Sequence, residues 1–235
     1  MQDYLQSRFF SIDDQSTKSF IFDLPKSWWS RFYEYEWAKN FCRDDDVVLD
    51  AACGICHPLK FYLLDHCKEV HACDMDERIL DKEYILLEIK EVFGESASDN
   101  LPRRYLENIN YKRTIINHLP YEDKKFNKIY CISVLEHLED KANQNPAILG
   151  ILEIREVFKT DIYYSLKEFK RTLRNDGMIV LTFDFPSINL QYLKYIVEDL
   201  SLEFAADVSF NIPQNALYSK EQNLFCYRAV LKKKI

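Results

Sequence analysis

The sequence predicts an α/β fold: an open, doubly wound, seven-stranded sheet, mostly parallel, with helices on both faces and an antiparallel strand at its end. Three observations predict it. Short apolar runs of the kind buried on both faces of a parallel sheet recur along the chain. Segments of helical periodicity separate most of them, and strands alternating with helices imply parallel pairing through crossovers. The last two strand-like runs have no obvious helix between them, which implies an antiparallel closing strand. At 235 residues, 47% hydrophobic and 29% charged, the chain has material for one sizeable core.

The elements follow in order. Residues 27–42 read as an amphipathic helix capped by Ser27, with Trp28, Phe32, Tyr35 and Phe41 on or near one face. Val47-Val48-Leu49 is the first strand, and Pro58 stands where the next helix begins, a place that needs no N–H. "EVHACDMD" (69–76) is the second strand, followed by one or two helices that Gly94 ends. "INYKRTII" (109–116) and "NKIYCISVL" (127–135) are the third and fourth strands. Residues 147–174 are mainly helical, and Asn175-Asp176-Gly177 makes a turn into the fifth strand, "MIVLTFDF". A helix over 189–200 and strands within 202–210 and 224–232 complete the chain. The stretches near 88–108 and 139–160 are longer than such a sheet requires and read as helical insertions.

Bulk properties narrow the function classes. A net charge of −7 advertises no nucleic-acid surface, since such affinity comes from neutralising phosphates. No apolar run spans a bilayer, and "MQDYLQSRFFSIDD" lacks the charge and apolar pattern of a secretory leader. Seven scattered cysteines read as reduced thiols. Together these lead us to expect a cytoplasmic protein without nucleic-acid or membrane partners.

Residues 53–57, "CGICH", admit several chemistries. Cys-x-x-Cys-His is a c-type haem signature, and Cys-Gly-x-Cys is a thioredoxin-like redox pair. Haem lacks a well-placed axial methionine. The thioredoxin fold is too short for this chain, and no Trp precedes Cys53. Zinc would need a second ligand pair, and the five histidines are not paired at ligand spacing, so no metal is expected. A small-residue turn between strand and helix also suits a nucleotide-binding loop.

"VVLDAACGICHPLKFYLL" resembles motif I of class I S-adenosylmethionine (SAM)-dependent methyltransferases: an apolar strand, an acid, then glycines at alternate positions. Asp50 is the acid and Gly54 the central glycine. Ala52 and Cys56 replace the flanking glycines, which brings a Cβ where none is expected. "VHACDMDERIL" resembles motif II, "LPYEDKKFNKIYCISVLEHLED" the LPF…VLEHL segment with Asn127 for its Asp, and "EFKRTLRNDGMIVLTFDFP" the RVLKPGG stretch. Four segments in the right order make the match specific over roughly 44–186, together with the closing strand pair.

The resemblance implies a Rossmann-like sheet, with an N-terminal lid segment over 1–43 and a SAM-binding domain over 44–235. It also implies SAM as cofactor, S-adenosylhomocysteine (SAH) as product, and methyl transfer to a small-molecule acceptor. Asp74 would hold the ribose diol. The backbone of Ala51, Ala52, Cys53 and Gly54 would face the methionine tail, and Asp50 its ammonium. Met75 would pack on the adenine and Asn117 read its amine. Ser133 and Val134 would line the crevice. Glu136 and His137 are the candidate catalytic residues, His137 being suited to proton transfer near neutral pH. Arg31, on the lid, would pair with the SAM carboxylate. Two alternatives are a SAM- or nucleoside-binding relative without activity, suggested by Ala52, Cys56 and Asn127, and a nicotinamide-dependent oxidoreductase. Against the latter, G-x-G-x-x-G is absent and no glycine lies in 55–93. The acceptor's identity and the oligomeric state are not encoded in these motifs.

Overall fold

Residues 3–138 and 160–234 are described by a computed structural model. Nine strands occur among them: β1 Arg8–Phe9, β2 Val47–Ala51, β3 Glu69–Asp74, β4 Asn110–Arg113, β5 Phe126–Ile132, β6 Leu173–Phe185, β7 Leu202–Phe204, β8 Tyr218–Ser219 and β9 Leu224–Lys233. They form one sheet in the order β1-β9-β6-β5-β2-β3-β4, with β7 and β8 also on β9. β4, β3, β2, β5 and β6 run parallel, and β9 is antiparallel to β6. This is the expected α/β class with nine strands instead of seven. The additional two, β1 and β8, are two-residue segments too short to leave a hydrophobic period in the sequence.

The helices are α1 Arg31–Ala38, α2 Leu59–His66, α3 Lys82–Phe93, α4 Glu95–Asp99, α5 Arg104–Glu107, α6 Asp161–Thr172 and α7 Leu190–Asp199. None of the described helices is long and apolar enough to cross a membrane. Side chains alternate along a strand, so neighbouring apolar residues serve opposite faces. Leu49, Ile129 and Ile179 pack with Leu166 and Phe169 of α6 and Ile196 of α7. Val48, Tyr130 and Val180 pack with Tyr35 and Trp37 of α1, Phe61 of α2 and Ile85 and Ile89 of α3. Continuous apolar runs are thus required by burial on both faces.

Several local expectations shift. Helix α1 starts at Arg31, because residues 25–31 form successive turns, Trp28 N–H donating to the Pro25 carbonyl and Arg31 N–H to that of Trp28. Ser27 caps nothing, and the Ser30 hydroxyl reaches Glu34 instead of the helix backbone. Asn175, Asp176 and Gly177 lie within β6 as a bulge: pairing jumps from Phe126–Leu173 to Lys128–Met178. Gly177 is needed there, since a Cβ would stand 2.8 Å from the Asn127 carbonyl oxygen. The 202–210 strand shortens to β7. Gly94 closes α3 with φ +93°, and the stretch 88–108 holds the end of α3 with α4 and α5. Most of the insertion read near 139–160 lies outside the described residues.

Strand order runs outward in both directions from the β2–β5 pair, β3 and β4 to one side and β6 to the other. Such a reversal leaves a crevice at the carboxyl ends of the strands.

Candidate active site

A cavity of about 400 Å³ occupies that crevice. Arg31 and Tyr35 line it from α1. Asp50, Ala52, Cys53, Gly54 and His57 line it from the end of β2 and the loop after it, with Leu59 of α2. Asp74 and Met75 come from the end of β3, and Thr114, Ile115 and Ile116 from beyond β4. Ile132, Ser133, Val134, His137 and Leu138 complete the wall at and after the end of β5.

The loop after β2 turns sharply, Ala52 at φ +54° and Gly54 at φ +60°. For a non-glycine residue this left-handed conformation costs about 1 kcal/mol. Ser133, on the cavity wall at the end of β5, shares it at φ +47°. Gly54 has a second constraint, because a Cβ there would lie 2.5 Å from the His57 ring. Lys60 secures the turn from beneath. Fully buried, its ammonium donates to the carbonyls of Gly54 (2.9 Å) and His57 (2.7 Å) and more weakly to that of Cys53 (3.4 Å).

His57 ties the loop to the N-terminal segment. Its ring stacks on Trp28 at 4.3 Å, and its Nδ1 shares a hydrogen bond with the Tyr35 hydroxyl at 2.8 Å. Burial, with the Arg31 and Lys60 charges nearby, keeps the imidazole neutral. Cys53 and Cys56 are not reactive thiols. Burial pushes the first up and the second up to about 11, far from the lowered values of redox cysteines.

Two carboxylates flank this turn in different states. Asp74 accepts from Gly54 N–H at 2.9 Å and from Asp76 N–H at 3.0 Å. Each oxygen keeps a lone pair for a further donor. Asp76 pairs with Arg78 and does not line the cavity. Asp50 Oδ2 is buried without a hydrogen-bond partner. Burial, opposed by Lys60 and reinforced by Asp74, raises Asp50 to about 7. An incoming ammonium would satisfy that oxygen and restore the carboxylate. The apolar side chains of Met75 and Ile115 stand exposed at the mouth, 69% and 50% accessible, and offer faces to a flat ring.

Beneath Ser133 lies a network the sequence did not disclose. Glu34, fully buried, forms an ion pair with Arg31. It accepts from the hydroxyls of Ser30 (2.9 Å), Ser133 (2.6 Å) and Thr182 (2.5 Å). Burial alone would raise this carboxyl; Arg31 and the hydroxyls outweigh burial and hold it below the usual range. Arg31 Nη1 also donates to Ser133 Oγ at 2.5 Å, so a bidentate contact from Arg31 to a ligand would have to use Nε and Nη2.

Of the residues singled out in the sequence, Arg31, Asp50, Ala52, Cys53, Gly54, Asp74, Met75, Ser133, Val134 and His137 meet at the cavity. Ala51 is fully buried in the α6–α7 face, the last residue of β2. The backbone of residues 53 and 54 is largely engaged internally: Cys53 N–H donates to the Cys73 carbonyl and Gly54 N–H to Asp74. Asn117 lies off the lining and donates to Asp161 at 2.8 Å, while residues 114–116 take the wall. Glu136 sits behind the wall, both carboxyl oxygens buried. Tyr35, His57 and Thr114 join the lining without having been assigned a role. The spacing of Tyr35 to the Trp28 face and the motif position of His57 were the available signals.

A family model described as a methyltransferase domain matches residues 49–181, more than half of the chain. No curated protein matches this sequence. A putative S-adenosylmethionine-dependent methyltransferase from Listeria monocytogenes has a similar structure, with TM-score 0.52 and 12% identity over 86% of this chain and 98% of that one. A TehB-like SAM-dependent methyltransferase from Corynebacterium glutamicum gives TM-score 0.50 and 16% identity over 86% and 87%. The [4+2]-cyclase SpnF gives TM-score 0.58 and 10% identity over 96% and 89%. At these identities the likeness is one of fold, and a cyclase among them illustrates that one fold carries several reactions.

Proposed function

Because this chain belongs to the methyltransferase-domain family, of the class I SAM-dependent type, we propose that it transfers the methyl group of SAM to a small-molecule acceptor in the cavity. The observation that carries the reading is the pair of carboxylates around the 52–54 turn, Asp74 fixed by backbone donors and Asp50 with an orphaned oxygen. Asp74 holds the ribose hydroxyls with its remaining lone pairs, and Asp50 takes the ammonium of the methionine tail. Met75 and Ile115 sandwich the adenine edge at the mouth. Arg31 offers its remaining N–H groups to the tail carboxylate.

When bound, SAM would supply an electrophilic methyl for an acceptor lone pair to attack in line, the new bond forming as the carbon–sulfur bond breaks and SAH leaves with that electron pair. The chain's own contribution is alignment and exclusion of water. Residues 1–43 act as the lid over a SAM-binding domain of 44–235, supported by Trp28 and Tyr35 on His57 and by Arg31 on Ser133. Ile132, Val134 and Leu138 give the acceptor an apolar wall, and the exposed His137 ring is the base where the acceptor must lose a proton. SAM is the cofactor and no metal takes part. Seven cysteines, all free thiols, support a cytoplasmic setting.

Calorimetric titration with SAM and SAH tests the reading, beside Asp74→Ala. We expect saturable binding, weakened about 10- to 100-fold in the variant, the worth of charge-assisted hydrogen bonds. A folded protein that binds neither ligand at millimolar concentration would defeat the proposal.

A further inference from the structure

Behind the Ser133 wall, two acids have no counterpart. Both carboxyl oxygens of Glu136 are buried and accept no hydrogen bond from another residue; Oδ1 of Asp184 is in the same state. Glu136 follows the end of β5, and Asp184 lies near the end of β6, paired across the ladder with Cys226 of β9. The groups facing them are Glu34 and Arg31 of α1, each other, and the Cys226 thiol. Arg31 is bound to Glu34. The cluster therefore holds three carboxyls and one cation, and that cation is already matched.

Leaving a buried acceptor without a donor costs about 1–3 kcal/mol, and more when it is charged. Burial and the neighbouring acids push Glu136 up to about 8 and Asp184 up to about 6. An anionic ligand would aggravate the repulsion. A monocation would offset it and supply the missing donors. Glu136 and Asp184 do not line the cavity themselves, but Val134, His137 and Leu138 do, so the carboxyl cluster lies directly behind the wall of the space left for an acceptor.

We propose that the methyl acceptor carries a basic nitrogen, bound as an ammonium by Glu136 and Asp184 beside Ser133. This rests on the methyltransferase reading and narrows it to a class of acceptor. The cation contributes binding and orientation, whichever atom of the acceptor receives the methyl.

The test uses the SAH-saturated protein and straight-chain alkylamines from methylamine to octylamine, each beside the alcohol of equal length, followed by calorimetry and by the carboxyl resonances of labelled Glu and Asp. Amines are expected to bind at least tenfold more tightly than their alcohols at pH 8. Their affinity should rise about tenfold from pH 5.5 to 8.5, because the amines stay protonated while the two carboxyls ionise. Glu136→Gln/Asp184→Asn should abolish both the preference and the pH dependence, and Glu136→Gln alone should reduce them. SAH binding that persists without any amine preference overturns this inference and leaves the methyltransferase reading standing. Absence of SAH binding in folded protein overturns both. An amine preference unchanged in the double variant overturns the assignment to these carboxyls.

Discussion

Glu34 and Glu136 are buried at the same end of the sheet and feel the same Arg31, yet burial acts on them with opposite results. Glu34 has one guanidinium and three hydroxyls, so its charge is retained. Glu136 has acids for neighbours and no donor from another residue, so its proton is retained. The first arrangement is complete within the chain and joins α1 to the ends of β5 and β6. The second is complete only with something added. A finished ion pair marks structure, and an unfinished one marks a place for a ligand.

The largest expected effect breaks the finished side. Glu34→Gln strands Arg31 without its partner and should cost about 3–5 kcal/mol of stability, measured by urea unfolding. The wild-type contribution of Glu34 is present above the unfolded carboxyl range near pH 4.5 and is lost as pH falls through the lowered folded value. The variant should therefore lie furthest below wild type near neutral pH. A loss under 1 kcal/mol would show the network to be incidental.

Glu136→Gln should act in the opposite sense. A raised carboxyl favours the folded state at low pH and gives up that advantage as pH rises toward about 8. The variant should match wild type near pH 4.5 and exceed it by about 1–3 kcal/mol at pH 9, an elevation of several degrees in the melting temperature. Equal melting curves at both pH values would erase the contrast. Tyr35→Phe is the smallest: losing the bond to His57 should cost about 1 kcal/mol. A weaker SAM affinity without that stability loss would assign Tyr35 to the ligand instead.

What the sequence disclosed follows from distance along the chain. Parallel strands were legible because Val47-Val48-Leu49 and "MIVL" must face apolar helices on both sides. The loop and its acids were legible because Asp50, Gly54 and Asp74 sit at fixed offsets from strand ends. Glu34 was not, since its partners Ser133 and Thr182 arrive from strands far along the chain, and a lone glutamate among aromatic residues looks like a solvated helix face. Lys60 was hidden for the same reason: its partners are carbonyls, which leave no signature in residue type. Asn117 turns to Asp161 while Thr114, Ile115 and Ile116 take the wall, an exchange that closeness to the strand end in sequence does not reveal.

The outer edge of β9 is covered piecemeal, by β8 at its start, β1 in its middle and β7 at its end. Among the described residues, Arg8 and Phe9 find their strand partners at Arg228 and Tyr227. During synthesis residues 8 and 9 leave the ribosome more than two hundred residues before their partners, so this strand cannot dock until β9 has followed. The parallel ladder of β2, β3 and β5 can assemble earlier, with Asp50 and Asp74 in place. Tyr35 can reach His57 early, whereas Glu34 needs Ser133 after β5 and Thr182 on β6, so the α1 side of the cavity is fixed only once those strands are in place.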